Sequence, residues 1–202
     1  MGPPSRPLRF ALLCESVSLE AWQAKCLDLL LGSGCAQLVL LVTRSAVGHE
    51  ARSLQAPGGI GARRRHLFWQ LWHRSFVRRA QALRRVDCSS RMAFADRLVC
   101  TVVKIGHEHA SFCEGDVATI RSHRLDFILQ FGFGALQGEI LRAATQGVWS
   151  FDHDHERRLG GVPTCFWDVM RREPTTKAAL RRLTEGPDRD AVADRHPLLQ
   201  LF

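Results

Sequence analysis

The sequence of this 202-residue chain lacks the features of a membrane span and of a secretion signal. No apolar run approaches the roughly 20 residues that a transmembrane helix needs, and the longest apolar stretches have the length of strands. Residues 1–7 lack the apolar core of a secretion signal, and Arg6 stands where an acylation motif has Ser or Thr. We therefore predict no membrane span and a cytoplasmic location.

Paired cysteine motifs are also missing. The seven cysteines are scattered and odd in number, and no Cys-x-x-Cys occurs. Several of them fall inside apolar runs, where a free thiol behaves as a small hydrophobic side chain. This pattern favours a reducing compartment over a disulfide framework.

Lysine is scarce, so nearly all of the positive charge is arginine. The chain has 28 Lys plus Arg against 20 Asp plus Glu, which gives a net charge of +8. Such a surface attracts nucleic acid, phosphorylated substrates or anionic membranes, and the charge alone does not choose among them. Hydrophobic residues make up 46% of the chain, enough to bury the core of a single domain.

The first 43 residues have the pattern of a strand–helix–strand unit. Residues 9–14 and 38–42 are predicted buried strands, and residues 19–31 are a predicted helix with Ser18 as its N-cap. The glycine motif G-x-G-x-x-G of dinucleotide-binding folds is absent after the first strand, where Cys14-Glu15-Ser16 stands instead. This difference argues against a dinucleotide site.

A second such unit lies between residues 125 and 161. It consists of an apolar run at 127–129, the turn Phe131-Gly132-Phe133-Gly134, a short helix at 139–144 and a strand at 148–151. That strand leads into a polar cluster at 152–156. Open parallel sheets bind ligands at the carboxyl ends of their strands, so the turn and the cluster predict an active site, with a solvated loop as the alternative for the cluster.

The segment between these units is predicted to hold a loop at 44–62, a helix at 63–86, a strand at 98–103 and a helix at 114–122. The helix at 63–86 has an aromatic stripe and a basic face that extends from Arg63 to Arg85. That face suits phosphate, nucleic acid or lipid headgroups, but an amphipathic helix with solvated arginines is the favoured interpretation.

Metal binding is not predicted. His107 and His109, together with His153 and His155, offer imidazole ligands. No cysteine or carboxylate partner has the spacing of a metal site, so polar loops are the favoured interpretation. Residues 176–184 are the last predicted strand, and residues 189–202 have no strong pattern.

Four segments together resemble the folate-dependent formyltransferases, whose best-known member is methionyl-tRNA formyltransferase. Residues 8–43 resemble the family's opening strand–helix–strand, 126–134 its strand with an aromatic-Gly loop, 147–161 its Asn-x-His strand, and 184–188 the segment with its aspartate. The resemblance implies a Rossmann-like α/β domain over residues 8–188, with a mostly parallel sheet and helices on both faces. It also implies an arm at 1–7, a basic helical insertion at 63–86, and a tail at 189–202 that is short for the family, as in a C-terminally truncated relative.

The resemblance implies transfer of a formyl group from 10-formyltetrahydrofolate to an amine, such as an amino sugar or another small amine. The implied catalytic residues are Ser150, Asp152, His153 and Asp188. The implied cofactor-binding residues are Phe133, Gly134, Leu136 and Glu185.

Two of the implied catalytic positions depart from the family pattern. Ser150 stands where the family has Asn and Asp152 where it has His, and an ionised aspartate donates no hydrogen bond. The alternatives are an inactive binding protein with this fold, or a nucleic-acid or anionic-surface binder that uses the Arg63 to Arg85 face. The sequence does not indicate an oligomeric state.

Overall fold

A central sheet of seven strands organises the computed structural model, which describes residues 6–45, 81–105, 109–152, 176–177, 179–185, 191–194 and 197–198. In chain order the elements are β1 (Leu8–Cys14), β2 (Ser18–Glu20), α1 (Ala21–Gly32), β3 (Ala36–Arg44), β4 (Arg85–Asp87), β5 (Asp96–Cys100), β6 (Val102–Ile105), β7 (His109–Phe112), α2 (Glu114–Ser122), β8 (Phe127–Phe131), β9 (Ala135–Leu136), β10 (Val148–Asp152), β11 (Thr176–Lys177), β12 (Ala179–Arg182), β13 (Ala191–Asp194) and β14 (Pro197–Leu198), with 3₁₀ turns at Gln81–Leu83 and Glu139–Arg142.

The strand order in the central sheet is β13-β12-β10-β8-β1-β3-β5. The five strands from β10 to β5 are parallel to one another, and β12 and β13 are added antiparallel at one side. The predicted fold class, a mostly parallel Rossmann-like α/β sheet, is confirmed.

Strand β1 lies at the middle of the sheet because its side chains are apolar on both faces. From Phe10 to Leu13 every residue is fully buried, and Cys14 is nearly so. Alternate residues of the strand belong to two separate core layers. A strand that is apolar on both faces is typical of the interior of a parallel sheet.

Each core layer is closed by a helix. Ala24 and Leu27 of α1 pack on one face of the sheet, and Val117 and Ile120 of α2 pack on the other. The predicted helices on both faces are therefore present, and the bounds of α2 coincide with the prediction. No helix in the described part of the chain has the length and apolarity that a membrane span requires.

The start of α1 differs from the prediction. Ser18 was expected to cap the helix, but residues 18–20 form β2, which pairs with β4, and the helix begins at Ala21. Glu20 is the N-cap, and a capping box links it to Gln23. The strand pairing takes precedence over the N-cap preference of serine, and glutamate together with glutamine satisfies the first helical N–H groups instead.

The described end of the segment predicted as a helix at 63–86 is not α-helical. Gln81–Leu83 is a 3₁₀ turn, and Arg85–Asp87 pairs with β2 as a strand. Residues 46–80, which include the rest of that helix and most of the loop before it, lie outside the described residues. The strand predicted at 98–103 is two strands, β5 and β6, which belong to different sheets and separate at Thr101.

Towards the end of the chain the pattern-based prediction was incomplete. Residues 189–202 were expected to have no regular structure, but Ala191–Asp194 pairs antiparallel with β12 and extends the central sheet. The strand predicted at 176–184 is divided into β11 and β12. The short helix expected at 139–144 is a single 3₁₀ turn, Glu139–Arg142.

Candidate active site

Two of the polar segments singled out in the sequence lie at the same edge of the sheet. Strands β8 and β10 are parallel neighbours, with Ser150 in register with Gln130. The glycine turn follows β8 directly, and Asp152 is the last residue of β10. The turn and the start of the polar cluster therefore share the carboxyl edge, as predicted, while residues 153–156 lie outside the described residues.

The turn is fixed by its two phenylalanines. Phe131 is buried in the core layer beneath α1, and Phe133 in the layer beneath α2, where it stacks on Phe112 with ring centroids 5.7 Å apart. Gly132 and Gly134 have φ angles of +90° and +75°, which only glycine adopts without strain. The two phenylalanines therefore anchor the turn in opposite core layers, and the two glycines allow the backbone to bend between and after them. Gly134 is exposed.

Two side chains hold consecutive carbonyl groups of this turn. Nη2 of Arg44, at the end of β3, donates to the carbonyl oxygen of Phe133 at 3.2 Å, and its guanidinium lies 5.0 Å from the Phe133 ring centroid. Nε2 of Gln130 donates to the carbonyl oxygen of Gly134 at 2.6 Å. The backbone of the turn is thus fixed from both sides.

Each of these two side chains keeps one buried polar atom without a partner among the described residues. These atoms are Nε of Arg44, a donor, and Oε1 of Gln130, an acceptor. An unsatisfied buried polar group costs about 1–3 kcal/mol, so a native structure that retains one usually has a water or ligand for it. The turn therefore has a free donor and a free acceptor next to an exposed glycine.

The remaining predicted catalytic residues are only partly described. Ser150 is half-buried in β10 and shares a face of the sheet with Gln130, because residues in register on parallel strands point the same way. Asp152 is placed at the strand end, whereas His153 and Asp188 lie outside the described residues.

The predicted cofactor-binding residues separate into different environments. Phe133 and Leu136 are 2% and 5% exposed and belong to the core, so neither presents a surface to a ligand. Gly134 offers exposed backbone.

Glu185 requires a correction, because it lies away from the glycine turn. It is exposed, and its carboxylate lies 3.6 Å from Arg142, just before β10. Since β12 runs antiparallel to β10, the residues that follow β12 are at the amino edge of the parallel strands. Glu185 and Gly134 therefore do not contribute to one site.

A small cavity of about 120 Å³ lies beside the turn, where β1 ends. Glu15, Glu20 and Gly132 are among the residues that line it. Glu15 directly after β1 and Glu20 at the N-cap of α1 outnumber the one arginine of the cavity, Arg85, so the charge disfavours a bound phosphate there, in agreement with the missing glycine motif. Burial raises the pKa of the neighbouring Cys14 to about 12, so this thiol is not a nucleophile at neutral pH.

Arg44 and Gln130 were not identified from the sequence. Gln130 carries a signal that pattern analysis could have used, because it is the one polar residue in an apolar five-residue strand. It is also the one polar side chain that is buried among the described residues. Arg44 gives no comparable signal, because a basic residue at a strand end is common on surfaces.

The solved structures that resemble this chain are enzymes named for formyl-group chemistry. Glycinamide ribonucleotide transformylase 1 from Symbiobacterium toebii superposes with a TM-score of 0.53 at 9% identity, over 98% of this chain and 76% of that one. The chain has the formyltransferase fold. Glycinamide ribonucleotide transformylase 1 from Geobacillus kaustophilus shares this formyltransferase fold with a TM-score of 0.51 at 13% identity, over 96% and 85% of the two chains.

A formyltetrahydrofolate deformylase from Pseudomonas putida also has the formyltransferase fold, with a TM-score of 0.54 and 8% identity over 97% of this chain. The chain spans 56% of the length of that deformylase. No protein-family model matches the sequence, and neither does any curated protein. Among the described residues, no three His, Cys, Asp or Glu side chains are grouped as metal ligands would be.

Proposed function

We propose that this protein transfers a formyl group from 10-formyltetrahydrofolate to a small amine, such as an amino sugar. The fold supports the proposal, and so does the position of the glycine turn at the carboxyl edge of the sheet, where open α/β sheets bind ligands. Folate would supply the activated formyl group.

The unsatisfied pair beside the turn is the observation that carries the proposal. Arg44 Nε is a free donor and Gln130 Oε1 a free acceptor, and their other polar atoms fix two successive carbonyl groups. A flat heterocycle with N–H and C=O groups along one edge, such as the pterin of folate, carries the complementary acceptor and donor, and it would reach these two buried atoms only by displacing part of the turn. Exposed Gly134 allows a close approach of such a ring to the backbone.

The acceptor amine would attack the formyl carbon from the side of β10. The new C–N bond would form and the bond from the formyl carbon to the folate nitrogen would break; the leaving folate nitrogen gains a proton, and the attacking amine loses one. The carboxylate of Asp152 or Asp188 would take this proton, and the hydroxyl of Ser150 would donate to the oxygen on which negative charge develops. Ser150 provides one donor where the family pattern has two, so we expect slow transfer.

Ligand binding is tested by thermal unfolding with a stable analogue of 10-formyltetrahydrofolate. At 100 times the Kd, a ligand specific for the folded state adds about 2.7 kcal/mol, which raises the Tm by roughly 5–10 °C. Gln130→Met should remove this shift, because it eliminates the free acceptor. Gln146→Met is the matched control, since Gln146 is an exposed glutamine at the amino edge. A cooperative melt without a shift in the unaltered chain would refute the proposal.

Catalysis is tested with variants that restore the family pattern. Ser150→Asn combined with Asp152→His keeps a donor at position 150 and adds one at position 152, so formyl transfer to an amine acceptor should increase by about a hundredfold or more. A loss of existing transfer in the single variant Asp152→His would show that Asp152 has a role of its own. Analogue binding without transfer to any amine, in the unaltered chain and the double variant alike, would identify an inactive binding protein.

A further inference from the structure

Five arginines surround a concave surface at the amino edge of the sheet, opposite the candidate active site. This arginine groove has a volume of about 750 Å³, and among the described residues that line it Asp126 is the only acidic one. Its arginines are Arg6, Arg121, Arg124, Arg142 and Arg182. Such a concentration of guanidinium groups attracts anions.

Two of the five arginines have no carboxylate partner among the described residues. The other three form ion pairs: Arg6 with Asp126 at 3.1 Å, Arg121 with Glu139 at 2.5 Å, and Arg142 with Glu185 at 3.6 Å and with Glu139 at 3.7 Å. Arg124 and Arg182 are exposed. The groove therefore has two guanidinium groups available for a ligand, with three partly neutralised ones around them.

The backbone of Arg124 is in a conformation that disfavours arginine. Its φ angle is +50°, and it is the one non-glycine residue with a positive φ in the described part of the chain. It follows the C-cap of α2, and its N–H donates to the carbonyl oxygen of Arg121 at 3.0 Å. Glycine is favoured at this position after a helix, so an arginine here reduces stability while it places a cation at the groove.

Arg182 is placed in the groove by the antiparallel pairing of β12. Its side chain lies against Gly147, where a Cβ atom would come within 3.1 Å of Arg182 Nε. Gly147 has a φ angle of +72°, so this contact depends on a glycine at the start of β10. The guanidinium is therefore packed against the backbone next to Arg142 and Arg124.

We propose that the arginine groove binds a ligand with two or more linked phosphate groups. Guanidinium groups bind phosphate oxygens through paired N–H donors, and several phosphates are needed to engage arginines on separate elements. The groove has no aromatic side chain within the part of its lining that the structure describes, whereas proteins that bind single-stranded nucleic acids stack bases on aromatic rings. A short oligophosphate therefore fits better than a nucleic-acid strand. This site is independent of the proposed formyl transfer.

The test is calorimetric titration of the full chain with inorganic tripolyphosphate. Arg124→Gly should weaken binding by about tenfold or more, because one charge-assisted contact is lost. The same variant should raise the Tm by about 2–4 °C, because the left-handed position is relieved. Binding and stability would then change in opposite directions, which excludes partial unfolding as the cause of weaker binding.

Arg182→Gln should weaken binding to a similar degree. Arg97→Gln is the charge-matched control, because Arg97 is an exposed arginine on β5 that is not among the described residues lining the groove. It should leave binding within about twofold of the unaltered chain, and Ser150→Ala at the carboxyl edge should do the same. Equal losses in Arg97→Gln and Arg182→Gln would overturn the proposal, since they would indicate a general attraction to net charge.

Titrations with inositol hexakisphosphate and ATP distinguish the source of the phosphates. If either one binds more tightly than tripolyphosphate and has the same dependence on Arg124 and Arg182, the proposal is supported and the ligand class is narrowed. Absence of tripolyphosphate binding would overturn the proposal. Binding of a single-stranded oligonucleotide without binding of tripolyphosphate would overturn it in favour of a nucleic-acid surface.

Discussion

Two glycines with nearly the same backbone conformation allow the cost of a close contact to be measured by itself. Gly34 and Gly147 have φ angles of +69° and +72°. A Cβ atom at Gly34 would meet nothing within 4 Å, whereas one at Gly147 would lie 3.2 Å from the carbonyl oxygen of Leu141 and 3.1 Å from Arg182 Nε. Substitution by alanine therefore introduces the same backbone strain at both positions and a close contact at only one.

The expected losses of stability follow from these distances. Alanine in the left-handed region costs about 1 kcal/mol, so Gly34→Ala should destabilise by that amount. Gly147→Ala adds a contact with a backbone oxygen that cannot rotate away, and overpacking of this kind costs about 1–3 kcal/mol more. The total at Gly147 should be about 2–4 kcal/mol.

Urea unfolding followed by tryptophan fluorescence measures both variants. With a slope of about 2 kcal/mol per molar urea, Gly34→Ala should lower the midpoint by about 0.5 M and Gly147→Ala by about 1–2 M. Equal midpoints for the two variants would refute the close contact with Leu141 and therefore the described path of the chain into β10. A variant Gly147→Ala/Arg182→Ala should recover only a minor part of the loss, because the backbone oxygen remains.

Three further experiments test the packing of the core, the Arg121–Glu139 ion pair and the exposure of the cysteines. Phe10→Ala should destabilise by about 3–5 kcal/mol in urea unfolding, because this ring is fully buried and stacked on another phenylalanine. The hydrogen bond from Arg121 lowers the pKa of Glu139, so this ion pair is present above the ordinary carboxyl range near 4.5 and is lost as the pH falls through the lowered value. Arg121→Gln should therefore raise the Glu139 pKa in an NMR titration. In native protein a thiol reagent should label exposed Cys113 and leave buried Cys14 unlabelled, as mass spectrometry would show.

The elements that sequence patterns identified best are those whose signal is local. Strand β1 is mainly an apolar run and is followed by a polar residue. Helix α2 begins at its own N-cap, Cys113, whose Sγ accepts a hydrogen bond from the N–H of Asp116. Glycines with positive φ mark the turn after β8. Each of these features depends on a few adjacent residues, so the sequence alone predicts it.

The errors came from pairings between distant parts of the chain. Ser18 was predicted as a helix cap, but it pairs with Asp87 in a ladder between β2 and β4. Residues 191–194 have no periodicity of their own and are strand only because β12 provides a partner. The position of Glu185 depends on the antiparallel direction of β12, which no local pattern encodes. The contact of Arg44 likewise depends on the end of β3 lying near the turn after β8, whereas Gln130 belongs to β8 itself and bonds within that turn.

Strand β10 connects the two proposed sites and also keeps them apart. Gly147 contacts Arg182 at the amino edge, and Asp152 ends the strand at the carboxyl edge. Five residues of extended chain at about 3.3 Å each separate these positions by roughly 16 Å, which is beyond the reach of any shared contact. Substitutions at the two edges should therefore have additive effects on stability, because residues more than about 10 Å apart without common partners rarely interact. An oligophosphate would alter formyl transfer only by moving β10, and that strand is fixed on both sides by its pairing with β8 and β12.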